Sequence, residues 1–243
     1  MGSAGCQPAG ARVNGPPALH VHEEDAAVHA ARAVADALRD AIARRGSARL
    51  AVAGGSVVPV LARTRALVPE AWPHVSLTWV DERRVPHADA ASNFGAARTA
   101  GVLDAPCAQC VLPLVNDDEL ADPVQACARV AAALARDFAG ALDVTLLGLG
   151  EDGHIASLFP GLPWDDGGAR VFTLDHAPKP PPARITLSRA FIATAATHVV
   201  YAIGEGKRAA LTRVLAGDPG LPLTGFAGVQ VFTDLHVEPA LIG

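Results

Sequence analysis

The side chain best suited to acid–base chemistry is an imidazole in a glycine-rich loop. The segment GLGEDGHIASLFPG begins at Gly148, directly after an apolar stretch, and places Asp152 two residues before His154. A histidine with a pKa near 6.5 is largely unprotonated at neutral pH, as general-base catalysis requires. The chain has nine histidines, and a histidine chosen at random is more often structural or exposed than catalytic. The glycine-flanked loop distinguishes His154 from them and makes it the candidate base.

Two other glycine-containing loops join an apolar stretch to a helical pattern. The first contains Gly54, Gly55 and Ser56, and the second is GEGK, which ends at Lys207. Paired glycines let the backbone approach a ligand, and the free N–H groups at a helix start suit phosphate. The positive charge of Lys207 is unfavourable near the start of a helix because of the helix dipole, and a bound anion would offset this cost. The alternative for the first loop is a tight turn without a ligand, and the alternative for the second is a single exposed lysine.

A run of four charged residues, DERR, follows another apolar stretch. Arg83 or Arg84 could hold a phosphate through paired hydrogen bonds, and Asp81 could accept protons from ligand hydroxyls. A solvated turn is the commonest alternative for such a run. Ser92 and Asn93 are expected to cap the next helix, with ligand contact as the second possibility.

These loops belong to a chain in which apolar runs alternate with helical patterns. Helices are predicted over residues 23–45, 57–67, 123–138 and 205–215, and strands over residues 49–53, 75–80, 111–114, 143–149, 197–203 and 229–232. The alternation predicts parallel βαβ units in a three-layer α/β/α fold with a single domain. Ligands of such sheets bind at the carboxyl ends of the strands, where all these loops begin.

Composition restricts the partners. The formal net charge of −5 provides no positive field for nucleic acid or acidic lipid. No apolar run approaches the roughly 20 residues of a membrane-spanning helix, and the N-terminus lacks the apolar segment of a secretory signal. The sequence therefore predicts a cytoplasmic protein with a small-molecule partner, without nucleic-acid or membrane binding, that is a monomer or a weak homodimer.

Two segments of the sequence have no predicted chemistry. Residues 1–17 are rich in Gly, Pro and Ala and are predicted to be a flexible tail, which leaves residues 18–243 as the catalytic domain. The four cysteines, Cys6, Cys107, Cys110 and Cys127, lack the second pair or the histidine spacing of a zinc site. We interpret them as unpaired thiols, with metal or redox use as the alternative.

Taken together, the four loops resemble the 6-phosphogluconolactonases. The motifs GGS from Gly54, DERRVPHADAASN from Asp81, GLGEDGHIASLFPG from Gly148 and GEGK from Gly204 occur in the family's order between about residues 20 and 235. The resemblance implies a modified doubly wound, mostly parallel α/β fold shared with the glucosamine-6-phosphate deaminases and isomerases. It also implies hydrolysis of 6-phosphogluconolactone to 6-phosphogluconate in the oxidative pentose phosphate pathway, without a metal or organic cofactor.

The resemblance also implies roles for individual residues. His154 would activate water for attack on the lactone carbonyl, and Asp152 would orient its ring. Arg184, in the segment RITLS, matches an Arg-x-Thr element of the family and would either reach the ligand or brace the sheet. The substrate and its phosphate would be bound by Gly54, Gly55, Ser56, Asp81, Arg83 and Lys207.

Two other functions remain open at this point. The deaminases share the Asp-Gly-His core but have a glutamate for ring opening where this chain has Phe159, which argues against deamination because a benzyl group cannot relay protons. A sugar-phosphate-binding protein without turnover is the third hypothesis.

The sequence also departs from the lactonase pattern, with Val57 and Val58 in place of a common Thr-Pro and with Phe232 near a common tryptophan.

Overall fold

The structure is a computed structural model that describes residues 17–165 and 167–238. The predicted tail therefore lies outside the described residues, except for Pro17. The strands are β1 (Ala18–Val21), β2 (Ala48–Val52), β3 (Val75–Trp79), β4 (Asp81–Arg83), β5 (Cys110–Leu112), β6 (Val144–Gly148), β7 (Val171–Leu174), β8 (Arg184–Leu187), β9 (Thr197–Tyr201) and β10 (Val229–Thr233). The α-helices are α1 (Ala26–Arg45), α2 (Val58–Leu67), α3 (Asn93–Thr99), α4 (Pro123–Asp137), α5 (Arg189–Ile192) and α6 (Arg208–Leu215).

Seven of these strands form one sheet in the order β1-β10-β9-β6-β2-β3-β5. Every neighbouring pair in it is parallel. From β2 the chain proceeds through β3 to β5 on one side, and then returns to β6 and continues through β9 to β10 on the other. This reversal is the signature of a doubly wound sheet. The predicted α/β architecture is confirmed.

The central strands are mostly apolar and almost fully buried because helices cover both faces of the sheet. All five residues of β3 are buried, including Trp79, and only the terminal Gly148 of β6 is partly accessible. One hydrophobic core cluster joins the strands to the buried face of α1. Helix α1 ends as predicted at Gly46, whose φ of +77° lets its N–H donate to the Ile42 carbonyl oxygen at 2.7 Å.

A second sheet corrects the sequence-based description. Its three short antiparallel strands, β4-β8-β7, lie in segments predicted as a polar loop and as unassigned short elements. Strands of three or four residues are too short for a period-2 pattern to identify them. Strand β4 contains the DERR residues, and its pairing sets Arg83 opposite Arg184 and Asp81 opposite Thr186. The edge strand β1 was also not predicted.

Two helices begin differently from the prediction. Helices α2 and α6 are each preceded by one turn of 3-10 helix, over Gly55–Val57 and Glu205–Lys207. Lys207 is thus the last residue of such a turn rather than part of the α-helix. In the described part of the chain, no helix combines the length and the apolarity needed to cross a membrane.

Candidate active site

A cavity of about 290 Å³ opens where the strand order reverses. The loops after β2 and β6 lie side by side there, and the Ala53 N–H donates to the Leu146 carbonyl oxygen at 2.8 Å. Eight of the nine predicted site residues line this cavity: Gly54, Gly55, Ser56, Asp81, Arg83, His154, Arg184 and Lys207. The ninth, Asp152, contacts the His154 ring. A larger cavity of about 840 Å³ lies at the amino ends of the strands and contains none of the nine.

His154 and Asp152 form a hydrogen-bonded pair. Nδ1 of the ring lies 2.5 Å from Oδ1 of Asp152. A carboxylate partner requires the proton on Nδ1, which leaves the lone pair on Nε2. The His154 side chain is 18% exposed, so it lies at the cavity wall and is accessible to a ligand. The pair therefore has the geometry of a general base with an orienting carboxylate.

Burial keeps this base neutral. The ring packs on Phe159, with centroids 4.6 Å apart. Burial lowers the pKa of His154 below its usual value, the Asp152 carboxylate opposes that effect, and the Lys179 ammonium adds to it. For Asp152, partial burial raises the pKa, but the hydrogen bond and charge of His154 together with Lys179 outweigh it and lower the pKa overall. The pair thus holds an ionised carboxylate beside a neutral imidazole.

Because Gly150 has no side chain, it leaves room for the Asp152–His154 pair. A Cβ atom on Gly150 would lie 1.9 Å from His154 Nδ1 and 2.5 Å from Asp152 Oδ1. The Gly150 N–H donates to the His154 carbonyl oxygen at 2.8 Å, which closes the loop. Ala156 follows with a φ of +51°, a region that a residue with a Cβ rarely adopts. Strain of this kind concentrates at functional sites.

Asp81 lies in a buried polar network beneath the cavity. The Ser157 hydroxyl donates to its Oδ2 at 2.6 Å, and Arg184 Nη1 lies 3.5 Å from the same oxygen. Asn93 Nδ2 lies 3.4 Å from Oδ1 and donates to the Asp81 carbonyl oxygen at 2.9 Å. These contacts fix the carboxylate, and the proposed contact of Asp81 with ligand hydroxyls stays a prediction.

Arg184 braces a loop and also lines the cavity, and its contact with a ligand stays a prediction. Its guanidinium braces a loop by donating from Nη2 to the Lys179 carbonyl oxygen at 3.0 Å and from Nε to the Pro181 carbonyl oxygen at 3.0 Å. The same side chain lines the cavity. Burial lowers the pKa of Arg184, and the nearby Asp81 carboxylate opposes this shift. A guanidinium remains protonated in proteins in any case.

The two arginines of the DERR run have different positions, one at the cavity and one away from it. Arg83 lines the cavity and donates from Nη1 to the Ala91 carbonyl oxygen at 2.7 Å, while its buried Nε has no hydrogen-bond partner among the described residues. Arg84 instead pairs with Asp175 and does not line the cavity. Arg83 is therefore the arginine of this run that can bind an anion in the cavity.

Glu82 has a structural position. Its carboxylate accepts the backbone N–H groups of Arg83, Asn93 and Phe94, each at 2.8 Å. Burial raises the pKa of Glu82, although these three N–H groups oppose the shift. The predicted cap by Ser92 is confirmed, since its Oγ accepts the Gly95 N–H at 3.0 Å, whereas Asn93 is the first residue of α3 and its side chain donates to Asp81 instead. Glu82 thus holds the start of α3 against β4.

The turn at Gly54–Ser56 and the turn at Lys207 have similar forms. Gly55 has a φ of +64° and Gly204 a φ of +91°, and each begins or precedes a 3-10 turn. A Cβ on Gly54 would lie 1.8 Å from Asn93 Oδ1, so the close approach of Asn93 leaves no room for a side chain at position 54. Both turns lie at carboxyl ends of strands and line the cavity. This arrangement suits a phosphate.

Sequence reasoning missed Lys179 as a site residue. It lines the cavity, and its Nζ lies 3.6 Å from Asp152 Oδ1. The available signal was its rarity: the chain has 20 Lys and Arg residues, of which only Lys179 and Lys207 are lysines, and both line this cavity. Within residues 17–165 and 167–238, no group of three or more His, Cys, Asp or Glu side chains is arranged to hold a metal ion.

The fold and the site define a sugar-phosphate enzyme of the glucosamine-6-phosphate isomerase/6-phosphogluconolactonase class. Residues 22–233 match the model of the family described as glucosamine-6-phosphate isomerases/6-phosphogluconolactonase. The chain therefore belongs to this family, and the resemblance inferred from the motifs is confirmed.

Individual relatives carry the lactonase name. A 6-phosphogluconolactonase of Mesorhizobium japonicum is 35% identical over 202 residues, which cover 81% of this chain and 84% of the relative. One from Pseudomonas putida is 35% identical over 217 residues, which cover 84% and 86%. The solved structure of 6-phosphogluconolactonase from Trypanosoma brucei superposes with a TM-score of 0.72 at 26% identity and covers 89% of this chain and 95% of that one.

Proposed function

We propose that this chain is a 6-phosphogluconolactonase, a carboxylic ester hydrolase that converts 6-phosphogluconolactone to 6-phosphogluconate. The observation that carries the proposal is the presence of a neutral, carboxylate-oriented imidazole and two phosphate-type turns around one cavity. Relatives with good coverage in both directions carry this name. The cytoplasmic location, the monomer or weak homodimer and the absence of nucleic-acid and membrane partners stay predictions.

The phosphate is the anchor of the substrate. It rests on the backbone of Gly54, Gly55 and Ser56, with positive charge from Arg83 and Lys207. Binding energy from this non-reacting group offsets the entropy of orienting the lactone carbonyl near His154. Arg83 and Lys207 therefore act mainly on affinity.

His154 moves the proton. As the water oxygen bonds to the lactone carbonyl carbon, a water proton passes to Nε2 and the carbonyl oxygen becomes an oxyanion. The oxyanion then reforms the carbonyl, the bond from this carbon to the ring oxygen breaks, and the ring oxygen takes the proton from Nε2. The products are a hydroxyl group and a carboxylic acid, which ionises and releases one proton. Asp152 holds the ring and stabilises the transient imidazolium.

Phe159 separates this reaction from ring opening and deamination. Its side chain is buried, stacks against His154 and lies 5.9 Å from the Arg184 guanidinium carbon. An apolar ring in this place lowers the polarity around the imidazole and offers no carboxylate for a second proton transfer. Attack by a single water on an activated ester needs one base, and His154 supplies it.

A stopped-flow assay with a pH indicator on freshly generated lactone tests the proposal. His154→Ala should lower kcat by about 10²- to 10⁴-fold, the usual value of a general base, with product binding retained. Lys207→Ala should raise KM roughly tenfold or more, from the loss of a charge-assisted hydrogen bond. His74→Ala, at an exposed histidine, is the matched control.

Three outcomes would overturn parts of this proposal. Near-normal turnover by the His154 variant would remove the base assignment. Ammonia release from glucosamine 6-phosphate by the wild-type protein would favour a deaminase. Thermal stabilisation by sugar phosphate without faster lactone opening would indicate a binding protein without catalysis.

A further inference from the structure

We propose that Lys179 is a positioning residue that fixes the Asp152 carboxylate and keeps His154 in its neutral form between turnovers. This inference rests on the proposed hydrolytic function of His154. The Lys179 ammonium and the His154 ring share one carboxylate oxygen: Nζ lies 3.6 Å and Nδ1 lies 2.5 Å from Asp152 Oδ1. The three side chains thus form a Lys–Asp–His cluster at the cavity wall.

The backbone of Lys179 is held from below by a buried side chain. Arg184, whose side chain is only 4% exposed, donates from Nη2 to the carbonyl oxygens of Lys179 at 3.0 Å and of Pro180 at 3.3 Å, and from Nε to that of Pro181 at 3.0 Å. Proline also restricts φ in this segment. The lysine therefore extends from a fixed point toward Asp152, although the ion pair is partly exposed.

The charges around His154 come from three elements. Asp152 is in the same loop, Lys179 is in the loop between β7 and β8, and Asp81 is on β4. The other charged residues that line the cavity are Arg83, Glu151, Arg184 and Lys207. Burial is the largest contribution to both groups, and it lowers the pKa of His154 and raises that of Asp152, whereas the Lys179 ammonium lowers the pKa of both. Its removal should make the imidazole easier to protonate.

The same charge assists the return of the proton. With neutral His154, the cluster of one carboxylate, one imidazole and one ammonium has no net charge. When the water proton reaches Nε2 the cluster becomes positive, and the oxyanion on the substrate carries the balancing negative charge. A nearby ammonium disfavours the imidazolium, so it promotes transfer of that proton to the leaving ring oxygen. Lys179 should therefore affect turnover rather than substrate affinity.

Lys179→Met tests this role because it keeps the length of the side chain and removes its charge. We expect the acid limb of the kcat/KM profile to move to higher pH, with roughly a two- to fivefold loss at mildly acidic pH, as the energy of a partly exposed ion pair allows. At alkaline pH the variant should approach the wild type, and KM should not change. Lys179→Arg should restore the profile. Arg136→Met, which removes a more exposed ion pair with Asp137, is the control and should leave it unchanged.

A second measurement does not depend on activity. An NMR titration of the His154 ring, assigned by the loss of its signal in His154→Gln, should show the ring protonating at higher pH in Lys179→Met than in the wild type. An unchanged acid limb together with an unchanged titration would overturn the proposal. A rise in KM at every pH without a shift of the limb would also overturn it, because Lys179 would then bind the substrate. A wild-type protein without lactonase activity would refute the proposed function, while the titration would still decide the role of Lys179.

Discussion

Replacing Gly150 by alanine should break the Asp152–His154 pair and leave the phosphate turns intact. The added Cβ would lie 1.9 Å from His154 Nδ1, 2.3 Å from Cε1 and 2.5 Å from Asp152 Oδ1. Non-bonded carbon and nitrogen atoms approach to about 3.5 Å, so the ring would have to move by about 1.6 Å. Gly150 does not have a positive φ, and alanine therefore adds no backbone strain at this position.

The expected loss follows from this displacement. A misplacement of about 1 Å costs on the order of 10²-fold in rate, and complete loss of a general base costs up to about 10⁴-fold. We therefore expect kcat to fall by about 10²- to 10⁴-fold. Overpacking of the loop should lower the free energy of unfolding by about 1–3 kcal/mol. The affinity for 6-phosphogluconate should remain close to that of the wild type, because the three atoms nearest to the added Cβ belong to His154 and Asp152 and not to the phosphate turns.

The assay combines stopped-flow proton release with calorimetric titration of the product and thermal unfolding. Gly148→Ala is the matched control, since its Cβ would meet only Val57 Cγ1 at 3.8 Å, an ordinary contact. Asp152→Asn weakens the same pair without overpacking and should also lower kcat. A folded Gly150→Ala enzyme with kcat near the wild-type value would refute the reasoning, because the pair would then not be needed for catalysis.

Two further predictions concern pH and the phosphate turn. Burial lowers the pKa of His154, so the imidazole stays neutral until the pH falls through that lowered value, and kcat/KM should persist below the ordinary histidine pKa of about 6.5 before it declines. An acid limb above about 6.5 in a pH–rate series would contradict this. Gly54→Ala would place a Cβ 1.8 Å from Asn93 Oδ1 and should displace the turn, which raises KM by roughly tenfold and changes kcat less. Unchanged product affinity in this variant would separate the turn from phosphate binding.

Six of the seven strands of the main sheet were predicted from apolar runs, and the edge strand β1 was missed. Continuous apolar runs such as that of β6 identify such strands without any alternation, and Gly46 and Ser92 mark helix ends through local chemistry. The antiparallel sheet was not predictable. Strands β4, β7 and β8 have three or four residues each and exist only because they pair with one another across long separations in the chain.

The residues of the candidate site were also predictable only in part. His154, the Gly54 turn and Lys207 follow strands in glycine-containing loops, which the sequence shows directly. The DERR run did not show that Glu82 holds the start of a helix, that Arg84 pairs with Asp175 or that Arg83 rather than Arg84 lines the cavity. Lys179 was missed because its contact with Asp152 joins two loops whose proximity depends on the second sheet.

Residue types, glycine spacing and apolar runs by themselves predicted a parallel α/β fold with a candidate base and candidate anion-binding loops after its strands, because these properties are local, and the resemblance to the family added the doubly wound order. Tertiary structure alone decided the charge environment of the base. Burial against Phe159 and the Lys179 ammonium lower the pKa of His154, whereas the Asp152 and Asp81 carboxylates raise it, and these charges come from three different elements. Electrostatic interactions depend on distance in space and on exposure to water, and neither quantity can be obtained from the order of residues along the chain.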